Sequence, residues 1–398
     1  MKVPFSPPDI GEAEIAEVVD TLRSGWITTG RKTKRFEREL AEFCHTGRVA
    51  CLSSQTASAE MTLRLLGVGP GDEVITTAYT YTATASVICH VGATPVIVDV
   101  AKDSYEMDYD AMERAITERT KVIIPVDVGG ILCDYQRIFD IVERNKAMFH
   151  PSNDLQKAIG RIIVMADGAH SLGGVRDGKI SGQTGDFTCF SFHAIKNLTT
   201  AEGGAVTWRP IPGVDDEELY RQYMLLSLHG QSKDALKKNR PGDWEYDIIE
   251  PYYKCNMTDL QASLGLAQLQ RYASILERRH EIIQRYNRKL EGHGLRLPRH
   301  TGEGFRSSGH LYIVRIEGAS EQERNEVIVR MGEREIACNV HYKPLPMLTA
   351  YRKRGFDIKD YPNAYDLYHN AVSLPLHTCL TDEQIDFVAD NLIDILGK

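Results

Sequence analysis

The sequence predicts an α/β protein with a mainly parallel sheet and a second, smaller lobe. Short runs of consecutive apolar residues alternate with helix-length stretches, a pattern typical of strands that helices cover on both faces. The chain has 398 residues, 42% of them hydrophobic, which is more than one core usually organises, so we expect two lobes. The predicted strands occupy residues 73–76, 95–98, 121–126 and 162–165.

Helix signals flank these strands at both ends of the chain. Apolar residues between Ile15 and Leu22 predict an N-terminal helix. Thr258 and Gln261 form a capping-box pattern that opens a long helical stretch, which we expect to link the two lobes. The segment from Glu281 onward should supply the small lobe, joined there by the N-terminal helix.

Composition narrows the class of protein. A formal charge of −8 and an isoelectric point near 5.9 argue against a nucleic-acid surface. The eight cysteines occur singly, which is typical of reduced thiols and predicts neither a metal site nor a disulfide framework. The sequence has no apolar run of signal-peptide or membrane length, so we expect a cytoplasmic protein without a membrane partner.

Two charged residues follow predicted interior strands. Asp167 ends the apolar run 162–166, and Lys196 comes shortly after the aromatic run 187–192. A lysine amine forms a Schiff base with the aldehyde of pyridoxal phosphate, and a carboxylate pairs with the ring nitrogen of that cofactor. Partial desolvation would favour the free amine of the lysine. The pair predicts pyridoxal phosphate chemistry, which neither residue would indicate alone.

Nearby hydroxyl groups could hold the phosphate of this cofactor. Ser191 could meet a phosphate, or it could be an ordinary residue of a strand-end turn. Residues 53–58 supply hydroxyls where the helix around Met61 and Leu65 should begin, and a helix N-terminus attracts anions. Taken alone, such a segment is more often only a helix cap.

The setting of Lys196 resembles the lysine motif of the DegT/DnrJ/EryC1/StrS family of sugar aminotransferases. The resemblance implies the aspartate aminotransferase fold, known as fold type I, with a seven-stranded type of sheet in the large lobe and a smaller α+β C-terminal lobe. We expect an N-terminal segment at 1–30, a large cofactor-binding domain at 31–270 and a small domain at 271–398. The matching segments are 5–8, 24–30, 67–75, 92–99, 189–197, 201–206, 341–345 and 373–376.

The resemblance also implies roles for particular residues. Tyr81 matches the aromatic residue that stacks on the cofactor ring, and His170 matches a position near that ring. Asn256 matches a residue that reaches the phosphate from the neighbouring subunit, which implies a homodimer with shared active sites. The expected set is Lys196 as the catalytic residue, Thr56, Ala57, Tyr81, Asp167, His170, Ser191 and Asn256 for the cofactor, and Trp26, Thr28, His193, His341 and Tyr342 for the substrate.

The implied reaction moves an amino group from L-glutamate to a nucleotide-linked keto sugar. Glutamate would displace Lys196 from its aldimine with the cofactor, leaving pyridoxamine phosphate and 2-oxoglutarate, and the sugar would then take the amine. Residues 190–197 and 253–259 look most like enzymes that act on UDP-linked 4-keto sugars, so we favour that substrate. The products would serve amino-sugar, cell-surface glycan or secondary-metabolite synthesis.

Other functions remain open from the sequence. Some family members are dehydratases with histidine in place of the lysine, but Lys196 is retained here. An elimination reaction would use the same Asp167 and Lys196, and a catalytically silent binding or regulatory protein could keep the fold. The chain departs from the family pattern at Gln55, in the phosphate cup, at Asp127 and Pro346, which could line the sugar pocket, and in a surface insertion at 146–157.

Overall fold

The computed structural model describes residues 1–233 and 245–397. Its strands account for three separate sheets, and their short apolar runs agree with those predicted from the sequence. The strands are β1 (Val49–Leu52), β2 (Glu73–Thr77), β3 (Thr94–Val98), β4 (Thr120–Ile124), β5 (Ile163–Asp167), β6 (Val175–Arg176), β7 (Lys179–Ile180), β8 (Phe187–Ser191), β9 (Gly204–Trp208), β10 (Leu295–Arg296), β11 (Thr301–Gly302), β12 (Phe305–Arg306), β13 (Tyr312–Ile316) and β14 (Ala371–Leu374).

Helices surround these sheets and, in the described ranges, follow the strands in alternation through the first half of the chain. The helices are α1 (Glu12–Arg23), α2 (Arg31–Cys44), α3 (Gln55–Leu65), α4 (Thr82–His90), α5 (Tyr109–Arg114), α6 (Tyr135–Arg144), α7 (Asp154–Ile159), α8 (Asp216–Ser227), α9 (Asp259–Gln270), α10 (Tyr272–Leu290), α11 (Glu321–Glu333), α12 (Thr349–Arg352), α13 (Pro362–His369) and α14 (Asp382–Leu396).

The central sheet has seven strands in the order β1-β9-β8-β5-β4-β2-β3. Strand β9 runs antiparallel to both neighbours, whereas β8, β5, β4, β2 and β3 pair in parallel. Every residue of β2, β4 and β5 is buried, as expected for strands that are covered on both faces. The predicted α/β class with a mainly parallel sheet is therefore confirmed.

A second core lies in the C-terminal part of the chain. There β10, β13 and β14 form an antiparallel sheet, which packs with helices α10, α11 and α14. Val3 joins this core and pairs with Ile336, whereas α1 lies against α9, where Gln268 Nε2 donates to Glu14 Oε1 at 2.8 Å. The domain boundaries at residues 30 and 270 stay a prediction.

The predicted capping box is present at the start of α9. Thr258 Oγ1 accepts the backbone N–H of Gln261 at 3.3 Å, and Gln261 Oε1 accepts the N–H of Thr258 at 2.9 Å. The long helical stretch is divided at Arg271 into α9 and α10. Within the described ranges, no helix is long and apolar enough to cross a lipid bilayer.

The insertion at residues 146–157 is anchored to helix α3. Gln156, which is fully buried, donates from Nε2 to the carbonyl of Leu66 at 2.6 Å, and Asn153 Nδ2 donates to the carbonyl of Leu65 at 3.2 Å. Because the last carbonyls of a helix lack intrahelical partners, these two side chains complete the C-terminal end of α3. The insertion thus has a structural role.

Candidate active site

Nine of the thirteen predicted site residues meet at the carboxyl edge of the central sheet. Strand β5 ends at Asp167 and β8 ends at Ser191, so both residues lie at this edge. Lys196 follows β8 in a short turn, in which its backbone N–H donates to the carbonyl of His193 at 2.8 Å. A cavity of about 350 Å³ opens here. Its wall includes Thr56, Tyr81, Asp167, His170, Ser191, His193, Lys196, His341 and Tyr342.

Asp167 is a buried carboxylate, with 5% of its surface exposed. Burial raises the pKa of Asp167, while the Thr84 hydroxyl, the Ala169 N–H and the charge of Lys196 oppose that rise. Thr84 donates to Oδ2 at 2.7 Å and the Ala169 N–H donates to Oδ1 at 3.2 Å. Both oxygens of the carboxylate therefore accept a hydrogen bond.

The side-chain amine of Lys196 binds its proton more weakly than an ordinary lysine amine does. Burial lowers the pKa of Lys196 to about 8, although the nearby Asp167 carboxylate partly opposes this. In the described chain, the Nζ atom makes no hydrogen bond and lines the cavity. An appreciable fraction of free amine is thus present near neutral pH, as a nucleophile toward an aldehyde requires.

The start of helix α3 forms a cup beside β9. Ser54 caps the helix by accepting the Ala57 N–H at 3.0 Å, so an anion would share that amide or displace the hydroxyl. A Cβ on Gly204 would lie only 2.2 Å from the carbonyl carbon of Ser54. Backbone packs directly on backbone here, which requires glycine at position 204.

Aromatic rings border the opening of the cavity. The Tyr81 side chain is 62% exposed, and its ring centre lies 6.1 Å from that of Tyr342. Tyr342 stacks on His170 with ring centres 5.9 Å apart. Tyr81 thus has an open face on which a planar ligand could stack.

Histidines 193 and 341 have different settings. His341 is buried, its Nδ1 lies 2.9 Å from Ser373 Oγ, and burial lowers its pKa to about 4, so the ring is neutral. His193 is partly exposed, with Nε2 3.7 Å from a carboxylate oxygen of Glu202, which also lines the cavity.

Four predicted residues lie outside the cavity wall of the single chain. Ala57 is half-buried, follows Thr56 in the chain, and donates its N–H to the Ser54 hydroxyl. Asn256 Nδ2 donates to Thr29 Oγ1 at 2.6 Å, and the Trp26 indole N–H donates to the Thr29 carbonyl at 3.2 Å. Thr28 is exposed, and its carbonyl accepts the N–H of Asp259.

Of the three single-residue departures from the family pattern, one lines the cavity and two do not. Gln55 lines the cavity, and its side chain helps to lower the pKa of Asp167. Asp127 and Pro346 are buried and do not belong to the cavity wall. Asp127 and Pro346 therefore do not line the pocket, although the sequence had suggested it, and are not placed to contact a ligand in this cavity.

Sequence reasoning missed Thr84 and Glu202. Thr84 lies three residues after Tyr81 in the first turn of α4, and a hydroxyl at that spacing from a proposed ring-stacking residue was the available signal. Glu202 lies in the glycine-rich segment after Lys196, and the sequence pattern assigned it no role.

The donor set fits pyridoxal phosphate. Asp167 offers an acceptor for a ring nitrogen, Lys196 an amine for an aldehyde, and Tyr81 a flat face for the ring. The hydroxyls of Thr56 and Ser191 and the start of α3 offer donors for a phosphate. The cavity is large enough for such a cofactor together with part of a substrate.

The fold and this site define a pyridoxal phosphate-dependent aminotransferase of fold type I. The chain belongs to the DegT/DnrJ/EryC1/StrS aminotransferase family, whose model matches residues 8–393. The resemblance seen in its motifs is thus confirmed, and the protein is an aminotransferase of this family.

Relatives of known description support this assignment. The chain is 38% identical to the spore coat polysaccharide biosynthesis protein SpsC of Bacillus subtilis, over 99% of this chain and 97% of that protein. It is 36% identical to the UDP-4-amino-4-deoxy-L-arabinose–oxoglutarate aminotransferase of Shewanella sediminis, over 100% and 98% of the two chains. A Streptococcus pneumoniae protein assigned as a sugar aminotransferase, solved in its PMP form, is 56% identical, with a TM-score of 0.97 over 100% and 99%.

Proposed function

We propose that the protein transfers an amino group from L-glutamate to a nucleotide-linked keto sugar, with a UDP-linked 4-keto sugar favoured. The observation that carries this proposal is that Lys196, with a pKa lowered to about 8, shares one cavity with the buried carboxylate of Asp167. The name of the Shewanella relative, which contains both a UDP-linked amino sugar and oxoglutarate, supports the donor and the nucleotide.

The bound cofactor would supply the electron sink, and the chain would supply binding and proton transfer. Lys196 would bond covalently to the cofactor aldehyde. Once an incoming amine has released it, its Nζ would remove the proton from Cα of the donor and later return a proton to the sugar carbon. Asp167 would hold the ring nitrogen, and Thr56 and Ser191 would hold the phosphate.

The partner subunit is part of the proposal. Asn256 would reach the phosphate bound by a second copy of the chain, so that two active sites are shared in a homodimer. Ile15 and Leu22 on α1 are 48% and 54% exposed in the single chain. Exposed apolar side chains of this size support burial of α1 by a second copy of the chain in solution. Mixing Lys196→Ala with Asn256→Ala chains tests this. If sites are shared, the mixture should regain about one quarter of wild-type activity, whereas separate sites would give no recovery.

The reaction is tested with the reconstituted protein. Borohydride reduction of the pyridoxal phosphate complex should leave a phosphopyridoxyl group on Lys196, detectable by mass spectrometry, and Lys196→Ala should remain unlabelled. Adding L-glutamate should shift the visible absorbance band to shorter wavelength and release 2-oxoglutarate, after which UDP- and dTDP-linked keto sugars can be screened. A labelled enzyme that is inert to glutamate would point to another donor or to an elimination reaction, and no label would reject the proposal.

A further inference from the structure

The hydroxyls of Thr80 and Thr84 form a chain of hydrogen bonds that leads to Asp167. Thr84 Oγ1 lies 2.7 Å from Asp167 Oδ2, and Thr80 Oγ1 lies 2.9 Å from Thr84 Oγ1. Both threonines are buried. Because an ionised carboxylate can only accept, Thr84 gives its single hydroxyl proton to Asp167, and Thr80 then donates to Thr84. The three side chains form a directed chain of hydrogen bonds that ends on the carboxylate.

We propose that Thr84, supported by Thr80, is a positioning residue that keeps Asp167 ionised and aimed at the ring nitrogen of the cofactor. This inference rests on the proposed function, in which Asp167 holds that nitrogen. A neutral Asp167 would present a proton where the ring nitrogen needs an acceptor, and the electron sink of the ring would weaken.

The surroundings of Asp167 make such support necessary. Burial raises the pKa of this carboxyl, and among the groups that lower it the Thr84 hydroxyl has the largest effect. Thr84 occupies one oxygen and the Ala169 N–H the other, which fixes the plane of the carboxylate. Each oxygen keeps a further lone pair, so an acceptor remains for a ligand in the cavity.

The position of Thr84 in helix α4 couples it to the predicted ring-stacking residue. Tyr81 is the N-cap residue of α4, and Thr84 lies in the first turn of the same helix. One helical turn thus carries both the aromatic face and the hydroxyl that holds the acid. The stacking partner and the hydrogen-bonding partner of the cofactor ring therefore have a common support.

Binding of two cofactors to the apoprotein tests the inference. Pyridoxal phosphate has a ring nitrogen, whereas its 1-deaza analogue carries CH at that position and cannot pair with Asp167. In absorbance titrations, Thr84→Val should weaken binding of pyridoxal phosphate about tenfold and change binding of the analogue less than about twofold. Thr84→Ser should restore the wild-type affinity, since it keeps the hydroxyl.

Thr82→Val is the matched control on the same helix. Its hydroxyl contacts Ser86 and Tyr351, and neither contact involves Asp167, so both affinities should stay unchanged. Should Thr84→Val fail to fold, Thr80→Val provides a second test, because it removes only the outer donor. We expect it to weaken pyridoxal phosphate binding about threefold and to leave the analogue unaffected.

The outcomes separate the inference from the proposed function. An equal loss for both cofactors in Thr84→Val would show a general packing role and overturn the inference, as would no loss for either. Failure of the wild-type protein to bind pyridoxal phosphate would overturn the proposed function as well. Normal wild-type binding with an unchanged Thr84→Val variant would overturn this inference alone.

Discussion

The imidazole Nε2 of His170 lies 2.9 Å from the hydroxyl oxygen of Tyr342, while the N–H of Gly129 donates to Nδ1 of the same ring at 3.2 Å. Burial lowers the pKa of His170 well below its usual value, so the ring is neutral. A neutral imidazole that accepts at Nδ1 carries its proton on Nε2 and donates it to Tyr342. The Tyr342 hydroxyl proton is then free to point into the cavity.

Tyr342→Phe should therefore weaken binding of the sugar substrate. The variant keeps the aromatic ring but loses a donor into the cavity, so we expect the KM for the keto sugar to rise about tenfold. It also leaves the His170 N–H unpaired, which should lower the free energy of unfolding by about 1 kcal/mol. Steady-state kinetics and urea unfolding measure the two effects, with the surface variant Tyr365→Phe as control. An unchanged KM would mean that the hydroxyl serves His170 alone.

Loading of the cofactor should follow the titration of Lys196. Because burial lowers the pKa of its amine to about 8, the free amine grows about tenfold between roughly pH 7 and pH 9 and then levels off. Stopped-flow absorbance should show the same profile for the rate at which apoprotein captures pyridoxal phosphate. N-acetyl-lysine, with an ordinary amine, gives the reference profile. A rate that still climbs above about pH 10 in the protein would contradict the lowered pKa.

Asp127 should make the protein less stable at neutral pH than in acid. Its Oδ2 has no hydrogen-bond partner in the described chain, and burial raises its pKa from 3.8 to about 7. A carboxyl with a higher pKa when folded binds more protons in the folded state. Its contribution to stability is therefore present at low pH and lost as the pH rises from 3.8 to about 7.

Asp127→Asn removes that titration and keeps an oxygen for the Cys133 N–H and the Tyr135 hydroxyl. We compare the free energy of unfolding of the variant with that of wild type at each pH. This difference should shift in favour of the variant by about 2 kcal/mol between roughly pH 5 and pH 8.5. Urea unfolding at the two pH values measures this gain, and the exposed Asp110→Asn serves as control. Parallel pH profiles for the variant and wild type would refute the prediction.

Asp259 should hold the N-terminal segment that carries Trp26 and Thr28. Its Oδ1 accepts the N–H of Gly30 at 2.7 Å and both the N–H and the hydroxyl of Thr33, and thereby caps helix α2 from helix α9. Asp259→Ala leaves these donors unpaired and should lower the free energy of unfolding by about 3 kcal/mol.

Asp259→Asn keeps the amide oxygen as an acceptor, so the loss should be about 1 kcal/mol. Urea unfolding of both variants, beside the exposed Asp154→Ala, measures the series. Equal free energies of unfolding for the alanine and asparagine variants would show that an acceptor oxygen at this position does not contribute to stability.

The sheet and its two charged residues were predictable because they depend on local patterns. A strand that is covered on both faces needs no polar residues, so continuous apolar runs revealed β2, β4 and β5. A similar run revealed β3, which is a partly exposed edge strand. Asp167 and Lys196 were recognisable because a charge at the end of such a run, or in the turn that follows it, leaves the core at the ligand-binding edge of the sheet.

Contacts between distant segments could not be predicted in this way. The hydrogen bond from Thr84 to Asp167 spans 83 residues, and no periodicity in the sequence records it. Gln156 was equally hidden, since a polar residue in an insertion suggests solvent, yet it is fully buried against α3. The burial of Asp127 depends on how the strand ends are covered, which one sequence does not specify.

The close approach of Gly204 to Ser54 limits how the enzyme can be engineered. The start of α3, which we propose binds the phosphate, packs on the main chain of β9, and a Cβ at position 204 would lie only 2.2 Å from the carbonyl carbon of Ser54. Trp26 and Thr28 lie in a loop whose outer residues are exposed. Because the family resemblance implies that Trp26 and Thr28 contact the substrate, we propose that libraries aimed at new sugars diversify that loop and leave the glycine fixed.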